Sequence, residues 1–367
     1  MNFDVSVVVP SYNNKDALEL TLASFNLQTY PSDRYEVIVV DDGSSDDTEE
    51  LVNSFETSYS LRYFKQHNAG RSKARNVGIR MAKGEIVILN DADGIPVPDF
   101  ITQHMRYHQS SKPIVVIGGK YDLLARWQSG IPTRYLDKLL NVSGHFEELR
   151  KKVKCAQQGQ PTSFIEKKDL QPDFERVKPY VFRKSHHNWD EVYEAYSAVL
   201  NGFVIPWILL VTINVSVPKA LLMKVGLFDE SFVGWGLEDT EIGYRLHRYG
   251  ATFVYNEAAA NYHQVHPIDA ARRWKEHARN YTRFCEKHPA LEVFLHWRFT
   301  VGLMSATTYN EIVKDSRKYC SLGYKEIMKD YLRLGKKLAE TYGQNEIFLS
   351  SFPRPVPNSL HRTTILN

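Results

Sequence analysis

The first 120 residues alternate short β-branched apolar segments with longer segments in which apolar residues recur every three or four positions. The short segments predict buried strands, and the periodic ones predict amphipathic helices. Strands alternating with helices indicate an α/β fold, a mostly parallel sheet with helices on both faces. The predicted strands are Val5–Val9, Glu36–Val40, Leu61–Phe64, Ile86–Leu89 and Ile114–Ile117, and the predicted helices are Asp16–Leu27, Asp46–Phe55, Arg71–Ala82 and Pro98–His108.

The pattern weakens from about residue 125 to residue 194, where Lys, Gln and Pro are frequent. This stretch predicts a long, partly mobile insertion, and such insertions often carry binding residues. Residues 197–217 hold no Asp, Glu, Lys or Arg and are about long enough to span a bilayer. Because Asn, Gly, Pro and Thr interrupt them, we interpret residues 197–217 as a turn followed by a buried strand.

In the C-terminal third the sequence pattern becomes helical and then Pro-rich. We expect one main domain over residues 1–266, a helical region over residues 267–349 and an extended, Pro-rich tail over residues 350–367. The predicted helices of this region are Ala270–Lys287 and Asp315–Tyr342.

Composition narrows the function classes. The chain has 367 residues, of which 43% are hydrophobic, enough for a large buried core. Its formal net charge of +3 is too small to indicate a nucleic acid partner. The cysteines Cys155, Cys285 and Cys320 are too far apart for a disulfide framework or a metal motif, which favours a reducing, cytoplasmic location. The N-terminus has no basic segment before an apolar run, so we expect no signal peptide.

The strongest chemical signal is the stretch from Gly84 to Gly94, an apolar segment that ends in Asp91 and Asp93. In an extended backbone, residues i and i+2 point to the same side, so we expect both carboxylates to face one pocket. Open α/β sheets bind ligands at the carboxyl ends of their strands. Paired carboxylates suit a hard divalent cation, Mg²⁺ or Mn²⁺, which would bind a diphosphate.

Two earlier strand ends add candidate binding residues. Pro10 is predicted to end the first strand, and Tyr12 follows it in an exposed loop. Asp42 follows the second strand, where a carboxylate can accept hydrogen bonds from a ribose or a base. No G-x-G-x-x-G sequence is present, which argues against a dinucleotide cofactor. A plain strand-to-helix turn is the alternative at Pro10.

Basic residues cluster at a predicted helix start, where Arg71, Lys73 and Arg75 precede Asn76. Backbone N–H groups at a helix N-terminus favour anions, so Arg75 and Asn76 are candidates for holding a nucleotide or its phosphates. The alternative is a solvated basic helix face.

The segment of residues 234–241 places Trp235 between two glycines, and then Glu238 and Asp239 begin a helix. A helix N-terminus stabilises a charged carboxylate, so we expect low pKa values here and a general base for a hydroxyl. Simple helix capping is the alternative. Further along, His263 and His266 are candidates for joining Asp93 on a metal ion.

Five segments occur in a recognisable order: VVVPSYNN, VIVVDDGSSDDT, NAGRSKARNVGI, GEIVILNDADG and FVGWGLEDTEIGYRL. Over residues 5–264, apart from the insertion, the chain resembles family 2 glycosyltransferases, which have the Rossmann-like GT-A fold. The last segment is most similar to the C-terminal motif of galactosyltransferases and bacterial chondroitin-type polymerases. One departure from the family pattern is Gly94, where many members carry an acid or another polar residue.

The resemblance implies a role for each matching residue. The implied nucleotide-binding and donor-binding residues are Pro10, Tyr12, Asp42, Arg75 and Asp91; the metal ligands are Asp91, Asp93 and His263; Asp239 is the catalytic base, Glu238 contacts the acceptor, and Trp235 packs beside a sugar.

The resemblance also implies a reaction. A metal ion, Mn²⁺ or Mg²⁺, would hold a nucleotide-sugar donor, with UDP the expected nucleotide. The sugar would move with inversion to a hydroxyl of a glycan or lipid-linked glycan. We expect the insertion and the C-terminal helices to select the acceptor.

Other functions remain open on sequence alone. Residues 91–94 also resemble the nucleophile motif of haloacid-dehalogenase phosphohydrolases, although there the motif usually follows the first strand. A nucleotidyltransferase would usually show a Gly-rich basic loop after the first strand, and a non-catalytic, donor-binding subunit of a glycan-assembly complex is a third alternative. Residues 277–299 mix basic and aromatic residues, which predicts peripheral contact with the inner membrane face or, alternatively, ordinary packing.

Overall fold

A computed structural model gives the fold. It describes residues 3–109, 112–142, 147–182 and 187–323, together with residues 326, 329, 330, 332, 333, 336 and 337. Within these residues, nine strands form one mixed sheet with the order β3-β2-β1-β4-β10-β6-β11-β5, and β9 pairs with β6. The strands are β1 (Val5–Ser11), β2 (Tyr35–Asp41), β3 (Ser60–Lys65), β4 (Ile86–Leu89), β5 (Gly94–Pro96), β6 (Ile114–Leu123), β7 (Arg126–Trp127), β8 (Thr162–Ser163), β9 (Val181–Phe182), β10 (Val215–Pro218) and β11 (Thr252–Gln264).

Helices cover the sheet, as the alternating pattern predicts. They are α1 (Lys15–Phe25), α2 (Thr48–Ser54), α3 (Arg71–Met81), α4 (Phe100–Met105), α5 (Arg134–Val142), α6 (Glu147–Gln157), α7 (His187–Tyr196), α8 (Lys219–Lys224), α9 (Glu238–Arg248), α10 (Ala270–Lys287), α11 (Leu291–Thr300) and α12 (Ala306–Ser321). All five predicted strands and the first four predicted helices exist, with ends that shift by a few residues. The β3-β2-β1-β4 half of the sheet is parallel throughout, which brings the carboxyl ends of these strands to one edge.

The second half of the sheet departs from the simple alternation. The strand β10 runs antiparallel to both β4 and β6, and β5 runs antiparallel to β11. Sequence analysis did not predict β5 or the long β11, because their pairing is between residues far apart in the chain. Pro10 was predicted to end β1, but the strand continues to Ser11. Strand β4 pairs with β1 only as far as Val8. Pro10 lies beyond this pairing, so its missing N–H removes no backbone hydrogen bond to β4.

The described residues of the insertion form regular secondary structure, where the sequence predicts a long, partly mobile stretch. It contains α5, α6 and most of α7, together with three short strands. Trp127, Leu136, Leu139, Val153 and Phe164 are among the buried residues of its own apolar cluster. Their spacing is hidden in the sequence by the frequent lysines and glutamines, which occupy exposed positions of the same helices.

Most aromatic residues of α10 and α11 face inward, as does Tyr309 of α12. Phe284, Trp297 and Tyr309 are buried and join the core that packs on the sheet, close to Trp207. The apolar side of residues 277–299 is therefore occupied by ordinary packing, and the predicted membrane contact loses the observation on which it depended. Among the described residues, no helix is long and apolar enough to cross a bilayer. Most of the predicted helix beyond Ser321, and the predicted tail over residues 350–367, lie outside the described residues.

One buried carboxylate anchors α10 to α9. The Glu241 side chain is 0% exposed and accepts hydrogen bonds from Arg245 and His288, with the Lys287 ammonium 2.8 Å away. Burial opposes its charge, but these three groups outweigh burial and lower the pKa of Glu241 to about 2. The start of α9 and the C-terminal end of α10 are therefore held in a fixed relation.

We expect Glu241→Gln to lower the free energy of unfolding at pH 7 by ~3 kcal/mol, because the cations lose their buried counter-charge. Since the folded pKa lies below the unfolded value, this contribution is complete above about pH 5 and declines as the pH falls toward the folded pKa. Urea denaturation at pH 7, 5 and 4 would measure it, and the difference from the unmodified chain should narrow at pH 4.

The matched control is Glu147→Gln, which removes an exposed ion pair with Lys151 one helical turn away. That variant should leave the urea midpoint unchanged at every pH. An equal effect of the two substitutions, or a gap for Glu241→Gln that widens as the pH falls, would contradict the anchoring role.

Candidate active site at the strand ends

A turn between β4 and β5 shapes the central loop of the site. The Gly94 N–H donates to the Asp91 carbonyl oxygen at 3.0 Å, and the buried Asn90 amide donates to the carbonyl oxygens of Asp91 and Gly94. A Cβ atom at Gly94 would lie 2.9 Å from Nδ2 of Asn261. The glycine that departs from the family pattern is thus required by the close approach of β11.

The turn sends its two aspartates to different partners, whereas an extended backbone predicts one shared pocket. Asp91 contacts Arg75, with Nη2 and Oδ1 2.9 Å apart. Asp93 faces His263 and His266, whose Nε2 atoms each lie 3.7 Å from its Oδ2. The pairing of His263 with Gly94 between β11 and β5 creates this second group.

Asp93, His263 and His266 have the geometry of a cation site. Their ligand atoms all lie within 4.8 Å of one another. His266 Nδ1 is 2.9 Å from the Pro267 carbonyl oxygen, and His263 Nδ1 is 3.5 Å from Asp122 Oδ1. A proton on each Nδ1 leaves both Nε2 lone pairs directed at the Asp93 carboxylate, an arrangement of electron-pair donors that a cation between them would satisfy.

This donor set bears on the identity of the ion. Two imidazoles and one carboxylate suit a transition ion such as Mn²⁺ better than Mg²⁺, which prefers oxygen ligands. His266 was named only as a candidate from the sequence, and Asp122 was missed, because it lies on β6 in no recognisable motif. Among the described residues, Asp91 does not join this group.

Arg75 is the central cation of the site, but it is buried and already paired. Its side chain is 3% exposed, Nη2 donates to Asp91, and Nη1 lies 3.1 Å from Glu238 Oε1. Although burial opposes the charged form of Asp91, the Arg75 guanidinium holds the pKa of that carboxyl below its usual value. Arg75 therefore links the loop after β4 to the start of α9.

Asp239 differs from the sequence expectation. It begins α9 beside Glu238, and the helix N-terminus predicts a low pKa. Instead, burial and the adjacent Glu238 charge raise the pKa of Asp239 to about 7, against the opposing effect of Arg75. The effect of the helix dipole, typically below about 1 kcal/mol, is too small to offset them.

Glu238 is buried at 4% exposure, and its second carboxylate oxygen has no hydrogen-bond partner. A buried acceptor without a partner is costly, so a hydroxyl of a bound molecule or a water would stabilise it. Glu238 thus offers a carboxylate oxygen that can accept a hydrogen bond, and the neighbouring Asp239 changes its protonation near neutral pH.

The remaining predicted binding residues have varied surroundings. Asp42 is 5% exposed and accepts hydrogen bonds from Gln66 Nε2 and from the backbone N–H groups of Ala69 and Gly70. It thereby fixes the loop that leads into α3. Tyr12 is 52% exposed beside this edge of the sheet.

Asn76 was a candidate for holding phosphates, and that prediction is wrong. Its amide donates to the Phe228 carbonyl oxygen and accepts from the Phe228 N–H, both at 2.9 Å. It also donates to Glu230. The side chain therefore holds the loop that precedes Gly234.

Helix α10 supports the Trp235 loop from outside, and no sequence motif indicated this. Glu276 accepts from the Trp235 N–H at 2.8 Å, and Asn280 donates to the Gly236 carbonyl oxygen at 2.9 Å. The guanidinium carbon of Arg273 lies 5.3 Å from the centre of the Trp235 ring. These contacts join segments about forty residues apart, so local pattern analysis had no signal for them.

Comparison with known proteins gives the family. Residues 6–152 match the model of glycosyl transferase family 2. The uncharacterized glycosyltransferase YfnE of Bacillus subtilis (strain 168) is 28% identical over 319 residues, which are 85% of this chain and 78% of that protein. The chondroitin synthase of Escherichia coli is 31% identical over 266 residues, which are 72% of this chain but 35% of that protein. The chain thus spans about a third of the length of this synthase.

A solved structure supports the fold. The mannosyltransferase PcManGT from Pyrobaculum calidifontis, in complex with GDP-Man and Mn²⁺, superposes with a TM-score of 0.52 at 17% identity. The match covers 93% of this chain and 88% of that one, and it confirms the predicted GT-A architecture with additional C-terminal helices. With the five sequence segments in order and the matching relatives, the chain belongs to glycosyltransferase family 2.

Proposed function

We propose that this glycosyltransferase is metal-dependent and inverting, and that it moves a sugar from a nucleotide-diphosphate donor to an acceptor hydroxyl. Family membership leaves the phosphohydrolase, nucleotidyltransferase and non-catalytic alternatives without support. The observation that carries the proposal is the meeting of three elements at one sheet edge: the Asp93–His263–His266 group, the Asp91–Arg75–Glu238 ion network and the partly protonated Asp239. We assign this activity to residues 1–266.

Asp93, His263 and His266 would hold the metal ion, with Asp122 orienting the His263 ring. When bound, a divalent ion supplies positive charge that stabilises the departing nucleoside diphosphate. A direct contact of Asp91 with the ion stays a prediction from the family resemblance, because Arg75 already balances its charge.

Asp239 is the proposed general base. Its carboxylate would take the proton of the acceptor hydroxyl as that oxygen forms a bond to the anomeric carbon. The bond from this carbon to the diphosphate oxygen breaks at the same time, and its electron pair leaves with the nucleoside diphosphate. Attack opposite the leaving group inverts the anomeric centre, so an α-linked donor gives a β-linked product. Glu238 would accept a hydrogen bond from a substrate hydroxyl through its unpartnered oxygen.

The donor and acceptor are proposed at the level of class. A UDP-sugar is the expected donor, on the family resemblance, with Asp42, Pro10 and Tyr12 beside the nucleotide and Trp235 beside a sugar. The acceptor is a glycan or a lipid-linked glycan, and the folded insertion and the C-terminal helices are the parts that would select it. A cytoplasmic location stays a prediction. Contact with the inner membrane face stays one as well, but without the exposed aromatic helix face that suggested it.

We expect Asp93→Ala to abolish Mn²⁺-dependent binding of nucleoside diphosphates, because the histidines alone offer the ion no negative charge. Isothermal titration calorimetry with Mn²⁺, and then with nucleoside diphosphate in the presence of Mn²⁺ or EDTA, would measure the loss. Donor hydrolysis should fall with it.

Asp33→Ala removes an exposed carboxylate outside the site and serves as the control, with titrations that match the unmodified chain. If Asp93→Ala bound Mn²⁺ and nucleoside diphosphate as tightly as this control does, the proposed metal site would be wrong.

We expect Asp239→Asn to lower transfer or donor hydrolysis at least about a hundredfold, because general base catalysis typically contributes about 10²–10⁴-fold. Donor affinity should change less than about threefold, since the amide keeps the shape of the carboxylate. Because the base must be deprotonated, kcat/KM of the unmodified chain should rise with pH and level off above about pH 7, in keeping with the raised pKa.

The residual activity of Asp239→Asn should lack this rise with pH. Near-normal transfer by the variant, or an unchanged pH profile, would show that another group accepts the proton.

A further inference from the structure

The paired state of Arg75 leaves the donor diphosphate without its expected cation. A bound nucleoside diphosphate carries about three negative charges, and one divalent ion neutralises two of them, so further cations are needed for tight binding. Arg75 is shared between Asp91 and Glu238 and is 3% exposed, and Asn76 is held by the Phe228 backbone. The predicted phosphate-binding residues of α3 are therefore occupied within the protein.

Arg273 on α10 offers a different cation at this place. It is half-buried against Trp235, and its neighbour Arg272 pairs with Glu276 at 2.8 Å. Arg273 itself has no ion-pair partner within the described part of the chain. Its guanidinium donors are therefore not committed to a carboxylate and can bind an anion.

Arg273 and Arg71 both lie against the segment that leads into α9. Burial and the like charge of Arg71 lower the pKa of Arg273, while the Asp93 carboxylate opposes this shift. Arg71 begins α3, and its Nη1 atom lies 3.9 Å from Glu238 Oε1. One guanidinium from α3 and one from α10 thus flank residues 235–238, next to Glu238 and the Trp235 ring.

The Trp235 loop determines the position of the Arg273 guanidinium. The ring of Trp235 supports the guanidinium at 5.3 Å, and Glu276 on the next turn of α10 holds the Trp235 backbone N–H at 2.8 Å. A Cβ atom at Gly234 would lie 2.6 Å from the Glu276 carboxyl carbon, so the loop lies directly against α10. The position of Arg273 is therefore coupled to the loop that leads into Glu238 and Asp239.

We propose that Arg273 and Arg71 bind the donor diphosphate from two sides, with Trp235 positioning the Arg273 guanidinium. This inference rests on the proposed function and names the chain's own phosphate-binding groups. A guanidinium can donate two parallel hydrogen bonds to phosphate oxygens, which a lysine cannot reproduce. Because Arg273 lies on the helix that holds the catalytic loop, diphosphate binding and the placement of Asp239 depend on the same helix.

The test measures binding, which separates this role from catalysis. First, the unmodified chain is titrated with UDP, GDP, ADP and CDP in the presence of Mn²⁺, and the matching nucleoside without phosphates is titrated in parallel. Arg273→Gln should lower the affinity for the tightest-binding diphosphate by about ten- to a hundredfold, the range for loss of a charge-assisted hydrogen bond. The affinity for the nucleoside and for Mn²⁺ alone should stay within about threefold of the unmodified chain.

Arg283→Gln is the matched control. Arg283 lies on the same helix, is also half-buried, and has its guanidinium carbon 5.9 Å from the centre of the Phe232 ring. This variant should bind diphosphate and nucleoside normally. Arg273→Lys should restore only part of the lost diphosphate affinity. Arg71→Gln should also lower the affinity for the diphosphate without lowering that for the nucleoside.

Three results would overturn the inference. Unchanged diphosphate affinity of Arg273→Gln would show that Arg273 does not reach the phosphates. An equal loss for nucleoside and diphosphate would show that it only supports the Trp235 loop. If the unmodified chain bound none of the four diphosphates, the proposed function would fail, and this inference would fail with it.

Discussion

The ion network of Asp91, Arg75 and Glu238 is the interaction on which the site depends. A guanidinium that is 3% exposed must be compensated within the protein, because an unpaired buried charge costs several kcal/mol. The compensation comes from two segments about 150 residues apart, the turn after β4 and the first residue of α9. The network therefore fixes the turn that carries Asp91 and Asp93 relative to the start of α9, and loss of any one member leaves the others with unbalanced charge.

The same network explains why the acidic residues of the site have different partners and different pKa values. Since Arg75 neutralises Asp91 and one oxygen of Glu238, Asp93 is left to the histidines, and Asp239 has no cation of its own. Burial and the neighbouring Glu238 then raise the pKa of Asp239 to about 7, a value suited to a group that must accept a proton near neutral pH. With Arg75 paired, the positive charge that a diphosphate requires has to come from other residues, for which we propose Arg273 of α10, held against the Trp235 ring.

Much of this could be predicted from the sequence, because strands, helices and strand-end motifs are local patterns. The parallel half of the sheet, the strand that leads to Asp91 and Asp93, and the helix that begins at Glu238 all follow from such patterns, whereas the turn that separates the two aspartates does not. The structure differs where distant segments meet. The pairing of β11 with β5, which no local pattern indicates, brings the two candidate histidines His263 and His266 beside Asp93. Asp122, Arg273 and Glu276 carry no motif and were not predicted. The pKa of Asp239 depends on burial, and the folded insertion depends on apolar residues that are masked by surface lysines.

The most direct test of the central claim is the stereochemistry of donor cleavage. The purified chain would be incubated with a panel of α-linked nucleotide sugars in Mn²⁺ or in EDTA, and proton NMR would follow the first sugar released, before mutarotation. The account predicts release from at least one donor, only with the metal ion present, with the β-anomer appearing first. Release of the α-anomer first, or release that is equally fast in EDTA, would contradict the proposed metal-dependent, inverting transfer.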